Sequence, residues 1–117
     1  MTPFRISAIL GFIAVALGAF GAHGLKDVLA QNNTAAIWQT GALYHLVHSA
    51  VLLYVAGREP FPRLAWSLFF AGILIFSGTL YVLAVTNVKW LGAITPIGGL
   101  CLLGGWLLLA FQRRAAA

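Results

Sequence analysis

A chain of 117 residues in which 62% are hydrophobic and 8% charged is not solvated as a water-soluble globule, because soluble domains carry about a quarter charged residues. Its length fits one domain of four membrane spans of about 20 residues each. The formal charge of +5 comes from lysines and arginines at the ends of apolar runs; no basic stripe interleaved with aromatics exists, which excludes nucleic acid as a partner.

The first apolar run covers about 6–22. Its basic start and Ala19-Phe20-Gly21 resemble a cleavable signal. The run is nevertheless long enough to span, and Gly11, Ala14, Gly18, Gly21 and Ala22 form a stripe of small residues that lets membrane helices approach closely. The chain then turns polar from His23 to Thr34. Leu25, Val28 and Leu29 predict a short amphipathic segment at about 24–30 lying at the interface, and Asn33 or Thr34 suits the N-cap of the next helix.

The second span, about 37–57, has Trp38 and Tyr54 at interfacial positions. At 100° per residue, Gly41, Tyr44, His45, His48, Ser49 and Leu52 share one arc. Ionisable groups within a membrane helix normally face the protein interior and are functional suspects. Arg58 to Arg63 form a tight connection whose Pro60 and Pro62 forbid a continuous helix.

The third span, about 64–86, carries Ser77, Gly78, Thr79 and Tyr81 at and beyond its centre. The fourth, about 91–111, contains Thr95-Pro96 roughly a turn from its start, so a kink or a freed Gly92 carbonyl is expected there. Gly98, Gly99, Gly104 and Gly105 add close-packing surface, Cys101 is a lone core residue, and Gln112-Arg113-Arg114 stop the run. Arg5, Arg58, Arg63, Arg113 and Arg114 fall on one side of this topology, against Lys26 and Lys89 on the other. The positive-inside rule then places both termini in the cytoplasm.

Counting residues along each span puts His48 near the bilayer midplane, His45, Ser77, Thr79, Tyr81 and Thr95 in the outer half, and His23 at the outer end of the first span, so every span sends a polar group to one zone. Three readings of that zone compete. One is a structural hydrogen-bond network through Tyr44, His48, Ser77, Thr79 and Thr95. Another is an inter-helix pocket for a small ligand, lipid headgroup or quinone. The last is a haem or metal site on His45 and His48, or His23 and His48, although no Asp, Glu or Cys accompanies them as a further ligand. The two acids, Asp27 and Glu59, both lie in connections. No carboxylate pair or oriented triad is therefore available, and an enzyme is not expected.

Gly18-Ala19-Phe20-Gly21-Ala22-His23-Gly24-Leu25 resembles the signature of a small membrane family, domain of unknown function 423, whose animal relative is transmembrane protein 256. Trp38-Gln39-Thr40-Gly41 with Tyr44 and His48, Phe76 to Tyr81, and Thr95 to Gly99 followed by Gly105-Trp106 agree with it in order. The resemblance implies a four-helix inner-membrane protein with no settled activity, and its recurring polar positions fall on His23, Tyr44, His48, Ser77, Tyr81 and Thr95. His45 departs from it, standing where the family has Gln. A His45–His48 metal pair would therefore be peculiar to this chain.

The expectation is an all-α integral membrane bundle of four transmembrane helices, up-down-up-down, with both termini cytoplasmic. Its packing faces would be Gly11, Gly18, Gly21, Gly78, Gly98 and Gly99, inside the bundle or at a homo-oligomer interface. The expected partners are membrane lipids, and no cofactor or resident metal is expected. Function is read as a non-enzymatic membrane protein whose polar zone ties helices together and binds a small or lipidic ligand. The alternatives are an oligomeric transporter or channel-like protein with a pathway past His48, and a haem- or metal-binding redox accessory.

Overall fold

The structure is a computed structural model that describes residues 1–112. Arg113 and Arg114, assigned above to the cytoplasmic side, lie outside the described residues. Helix α1 (Pro3–Ala22) starts earlier than its apolar run because Thr2 accepts from the Arg5 amide through its hydroxyl at 3.1 Å, and Pro3 occupies the first turn. Helix α2 (Lys26–Asn32) is short and ends at Asn33, which adopts the left-handed conformation at φ 57°. Helix α3 (Ala35–Ala56) and helix α4 (Arg63–Thr86) follow, and Asn87 at φ 60° ends the latter in the same left-handed way.

A 3₁₀ turn over Lys89–Ala93 leads into helix α5 (Thr95–Ala110). Pro96 therefore kinks no helix. It sits in the first turn of α5, where an amide would have had no intrahelical partner, and Gly92 lies in the 3₁₀ turn. The cap expected before α3 is also different. Thr34 does precede α3, but its hydroxyl makes no cap bond and donates instead to the Ala84 carbonyl at 2.6 Å. Asn32 Nδ2 donates to the Ala84 and Val85 carbonyls at 3.1 and 3.0 Å. The α2–α3 corner thus satisfies carbonyls in the last turn of α4, which have no partner within their own helix.

The long helices pack in chain order, α1 on α3, α3 on α4, and α4 on α5. Gly11 faces Ser49 while Gly21 faces Trp38, which makes the first pair antiparallel; Thr34 against Ala84 with Gly41 against Ser77, and Gly98 and Gly105 against Phe76 and Phe69, do the same for the next two. Among the described residues the backbones of α1 and α5 do not meet, so the bundle is open between its first and last helices. Two indoles bridge the diagonals. Trp66 of α4 donates to the Ser7 hydroxyl on α1, and Trp106 of α5 donates to His48 on α3, both at 3.1 Å. The core between them holds Leu10, Leu52, Val55, Trp66, Phe69, Ile73 and Leu102.

Among the described residues, Pro3–Ala22, Arg63–Thr86 and the run Lys89–Ala110 are long and apolar enough to cross a membrane. Helix α3 has 22 residues but carries Gln39, Thr40, His45, His48 and Ser49, and most of that polarity is turned inward: His45, His48 and Ser49 are buried. The outer surface is apolar, with Phe12 75% and Leu100 68% exposed.

The expected packing glycines fall into distinct environments. A Cβ on Gly21 would overlap the Trp38 indole, and one on Gly98 would overlap the Phe76 backbone. A Cβ on Gly11 or Gly99 would sit at ordinary van der Waals distance, 3.8 Å from Ser49 and from the Phe76 ring respectively. No atom of a neighbouring helix lies within 4 Å of a Cβ built on Gly18 or Gly78. A Cβ on Gly72 or Gly105 would likewise overlap a neighbour, falling 2.5 Å from Leu102 and 2.8 Å from Phe69.

Candidate functional site

The polar groups of α3 do not converge on one point; they divide between two seams. His45 is buried and meets the Tyr81 hydroxyl of α4 at 2.9 Å through Nδ1. Its Nε2 and the Ser49 hydroxyl, one turn on, are buried without a hydrogen-bond partner. This seam is covered by α1, and a cavity of about 190 Å³ beside it is lined by Leu10, Ile13, Ile73 and Leu74 along with His45.

His48 faces the other seam, toward α5. Its Nδ1 lies 2.8 Å from the Tyr44 carbonyl and its Nε2 lies 3.1 Å from the Trp106 indole nitrogen. A carbonyl only accepts, so Nδ1 carries the proton and Nε2 accepts from the indole N–H. The neutral imidazole is thereby satisfied at both nitrogens, and its tautomer and orientation are fixed by two neighbours. The Tyr44 ring stacks on the imidazole with centroids 5.9 Å apart and packs against Phe76 at 4.8 Å.

The remaining polar residues form short interhelical links. Ser77 donates to the Gly41 carbonyl at 2.7 Å and so joins α4 to α3. The Thr79 and Thr95 hydroxyls meet at 2.6 Å and join α4 to α5. Thr79 Oγ1 also lies 2.7 Å from the Ile75 carbonyl and Thr95 Oγ1 3.2 Å from the Leu91 carbonyl; each hydroxyl has one proton, so the one that donates across the seam gives up its own carbonyl while the other keeps it.

His23 does not join them. It is exposed at the C-cap of α1, beyond the level of Trp38, while His48 lies near the level of Gly11. Counting depth placed it in the polar zone, but the helix ends before it and turns it outward. His45 and His48 open onto different seams, and among the described residues no three His, Cys, Asp or Glu side chains gather as a metal site. In the pairs expected for haem or metal, His45 with His48 and His23 with His48, both nitrogens of His48 are already engaged by Tyr44 and Trp106.

Trp106 and Phe76, which the sequence marks only as parts of the family motifs and not of the polar zone, complete the His48 seam. The available signal was an indole inside an apolar run rather than at its end. A Trp N–H so placed needs a buried acceptor, and a histidine on a neighbouring span is a natural one.

Tyr44, His48, Phe76, Pro96, Gly99 and Trp106 line a groove of about 560 Å³ between α3, α4 and α5. Leu100 and Leu103 form its lip and are 68% and 61% exposed. With both His48 nitrogens and the indole N–H engaged, the polar atoms of its floor are spent. What remains is an apolar trough with the phenol of Tyr44, itself partly exposed, at one edge.

Comparison with known proteins gives a consistent picture. The model of a family described as protein of unknown function (DUF423) matches residues 17–99. The chain is 41% identical over 111 residues to UPF0382 membrane protein YwdK of Bacillus subtilis, with 89% of each chain covered. It is 44% identical over 108 residues to a UPF0382 membrane protein of Haemophilus influenzae, covering 89% of this chain and 86% of that one. A relative in Schizosaccharomyces pombe, UPF0382 membrane protein C1782.12c, is 34% identical over 113 residues, with 91% and 96% covered. No solved structure matches the chain.

Proposed function

The chain belongs to the DUF423 family of membrane proteins of unknown function, and from its geometry we propose that it is a non-enzymatic protein of the cell (inner) membrane that holds the apolar part of a lipid in the His48 groove. In this reading all four long helices span the bilayer, α3 included, with both termini in the cytoplasm. Burial of the α3 histidines between α1, α4 and α5 supports the inclusion of α3, because a polar helix is tolerated in a bilayer when its polar face is turned onto protein. The split of basic residues, with Arg5, Arg58 and Arg63 at one end of the helices and Lys26 and Lys89 at the other, supports the orientation.

The observation that carries the ligand reading is the engagement of His48 at both nitrogens. A metal, a haem iron or a transported proton would need one of those nitrogens free. An acyl or isoprenoid chain needs none; it needs apolar walls and an opening toward the lipid, which Leu100, Leu103, Phe76 and Pro96 supply. Contact with mobile lipid at Tyr44 and Trp106 would be made by ring faces and edges.

Native mass spectrometry of the chain released from mild detergent tests this reading. The wild type is expected to carry one lipid-sized species. Gly99→Phe fills the groove from a position where an added Cβ meets only the Phe76 ring edge at 3.8 Å, and it is expected to arrive empty. A bound metal or chromophore in the wild type, or lipid retained unchanged by Gly99→Phe, refutes the reading.

A further inference from the structure

Helix α4 begins, and α5 ends, at the same end of the molecule, and between them lies a second groove of about 370 Å³ with Arg63, Leu64, Ala65, Leu108 and Phe111 among its walls. It is separate from the His48 groove: the two share no lining residue. Its apolar sides are open, with Leu64 63% and Phe111 83% exposed. Its charged side is basic. Among the described residues, this end of the helices carries Arg5, Arg58 and Arg63 against the one carboxylate of Glu59. Arg58 is turned onto Tyr54, bonding its hydroxyl and lying 5.5 Å from its ring centroid; Arg63, by contrast, lines the groove and is exposed.

We propose that this groove docks one acidic phospholipid, with the phosphate on the Arg63 guanidinium and an acyl chain lying along Leu64, Leu108 and Phe111. The proposal rests on the four-span reading above, which puts the first turn of α4 and the last turn of α5 at the membrane–water boundary. A guanidinium presents a planar fork that matches phosphate oxygens with two parallel hydrogen bonds. Below it the wall is apolar for the length of the last turn of α5, so headgroup and chain meet complementary surfaces in the order in which a lipid presents them. The anionic surface of a cytoplasmic leaflet adds attraction at the same end. A zwitterionic lipid offers the same chain but places an ammonium near the arginines, which makes headgroup charge the discriminating feature.

Thermal unfolding of the full chain in mild detergent, with phosphatidylglycerol or phosphatidylcholine of identical chains added, tests it. Phosphatidylglycerol is expected to raise the midpoint by about 4 °C more than phosphatidylcholine. Arg63→Gln, at an exposed position, is expected to abolish that difference, while Arg58→Gln keeps it. Equal effects of the two lipids, survival of the difference in Arg63→Gln, or reproduction of the shift by inorganic phosphate alone each overturns the proposal. Gly99→Phe is expected to leave the headgroup preference intact, so failure of the His48 groove reading and failure of this one give different results. The span reading fails separately, in the lysine labelling described below.

Discussion

Gly21 of α1 lies directly beneath the indole of Trp38, whose Nε1 donates to the Leu17 carbonyl one turn back at 3.0 Å. The missing side chain on α1 is what lets an aromatic on α3 reach the α1 backbone. Replacing Gly21 with Leu drives atoms into the ring and is expected to destabilise the fold by about 1–3 kcal/mol, the usual cost of overpacking. Unfolding in detergent measures it; a loss no larger than that of Gly18→Leu contradicts the contact.

The α4–α5 seam gives a sharper contrast. Gly98→Ala places a methyl group against the Phe76 backbone, which cannot rotate away, and is expected to cost about 1–3 kcal/mol. Gly78→Ala meets nothing within 4 Å and exchanges glycine for a better helix former, so it is expected to be neutral or stabilising by up to about 1 kcal/mol. Equal effects at the two positions would show that the seam is not where the structure places it.

His48→Phe removes the acceptor of the Trp106 N–H and leaves a donor without a partner. Among the indole signals of the four tryptophans, one is expected to move upfield in a proton–nitrogen correlation spectrum, as a hydrogen bond is lost. Ser77→Ala removes the link to the Gly41 carbonyl and should leave that signal in place, at a cost on the order of 0.6 kcal/mol. An unchanged indole pattern in His48→Phe would break the bridge between α3 and α5.

Topology is open to chemical labelling because the chain has only two lysines, Lys26 and Lys89. Both are at the end opposite the arginines of the described residues, at the starts of α2 and of the 3₁₀ turn. A membrane-impermeant amine reagent is expected to modify both in intact cells freed of the outer barrier. Modification of one but not the other contradicts four spans.

Residue counts made the long helices legible in the sequence, because apolar runs set their length. Direction around the helix was another matter. Gly18 and Gly21 belong to one stripe by composition, yet only Gly21 meets a neighbour, since α1 is apolar on nearly every face and its pattern does not say which one is buried. His45 and His48 lie on one arc of α3, but neighbouring sectors of that arc face α4 with α1 and α4 with α5. His23 falls just outside the helix that would have aimed it inward. Pro96 was placed inside a span because an apolar run does not disclose that its first turn is 3₁₀.

The most direct measurement is a map of lipid contacts in reconstituted vesicles. A phospholipid carrying a photoreactive diazirine on its acyl chain is photolysed, and the adducts are located by peptide mass spectrometry. The lipid-groove account predicts adducts concentrated on Tyr44, Leu100, Leu103 and Trp106, around the His48 groove. Adducts spread evenly to Phe12 and Val15, which are exposed on α1 but line no groove described here, would mean that lipid merely bathes the helices and would contradict it.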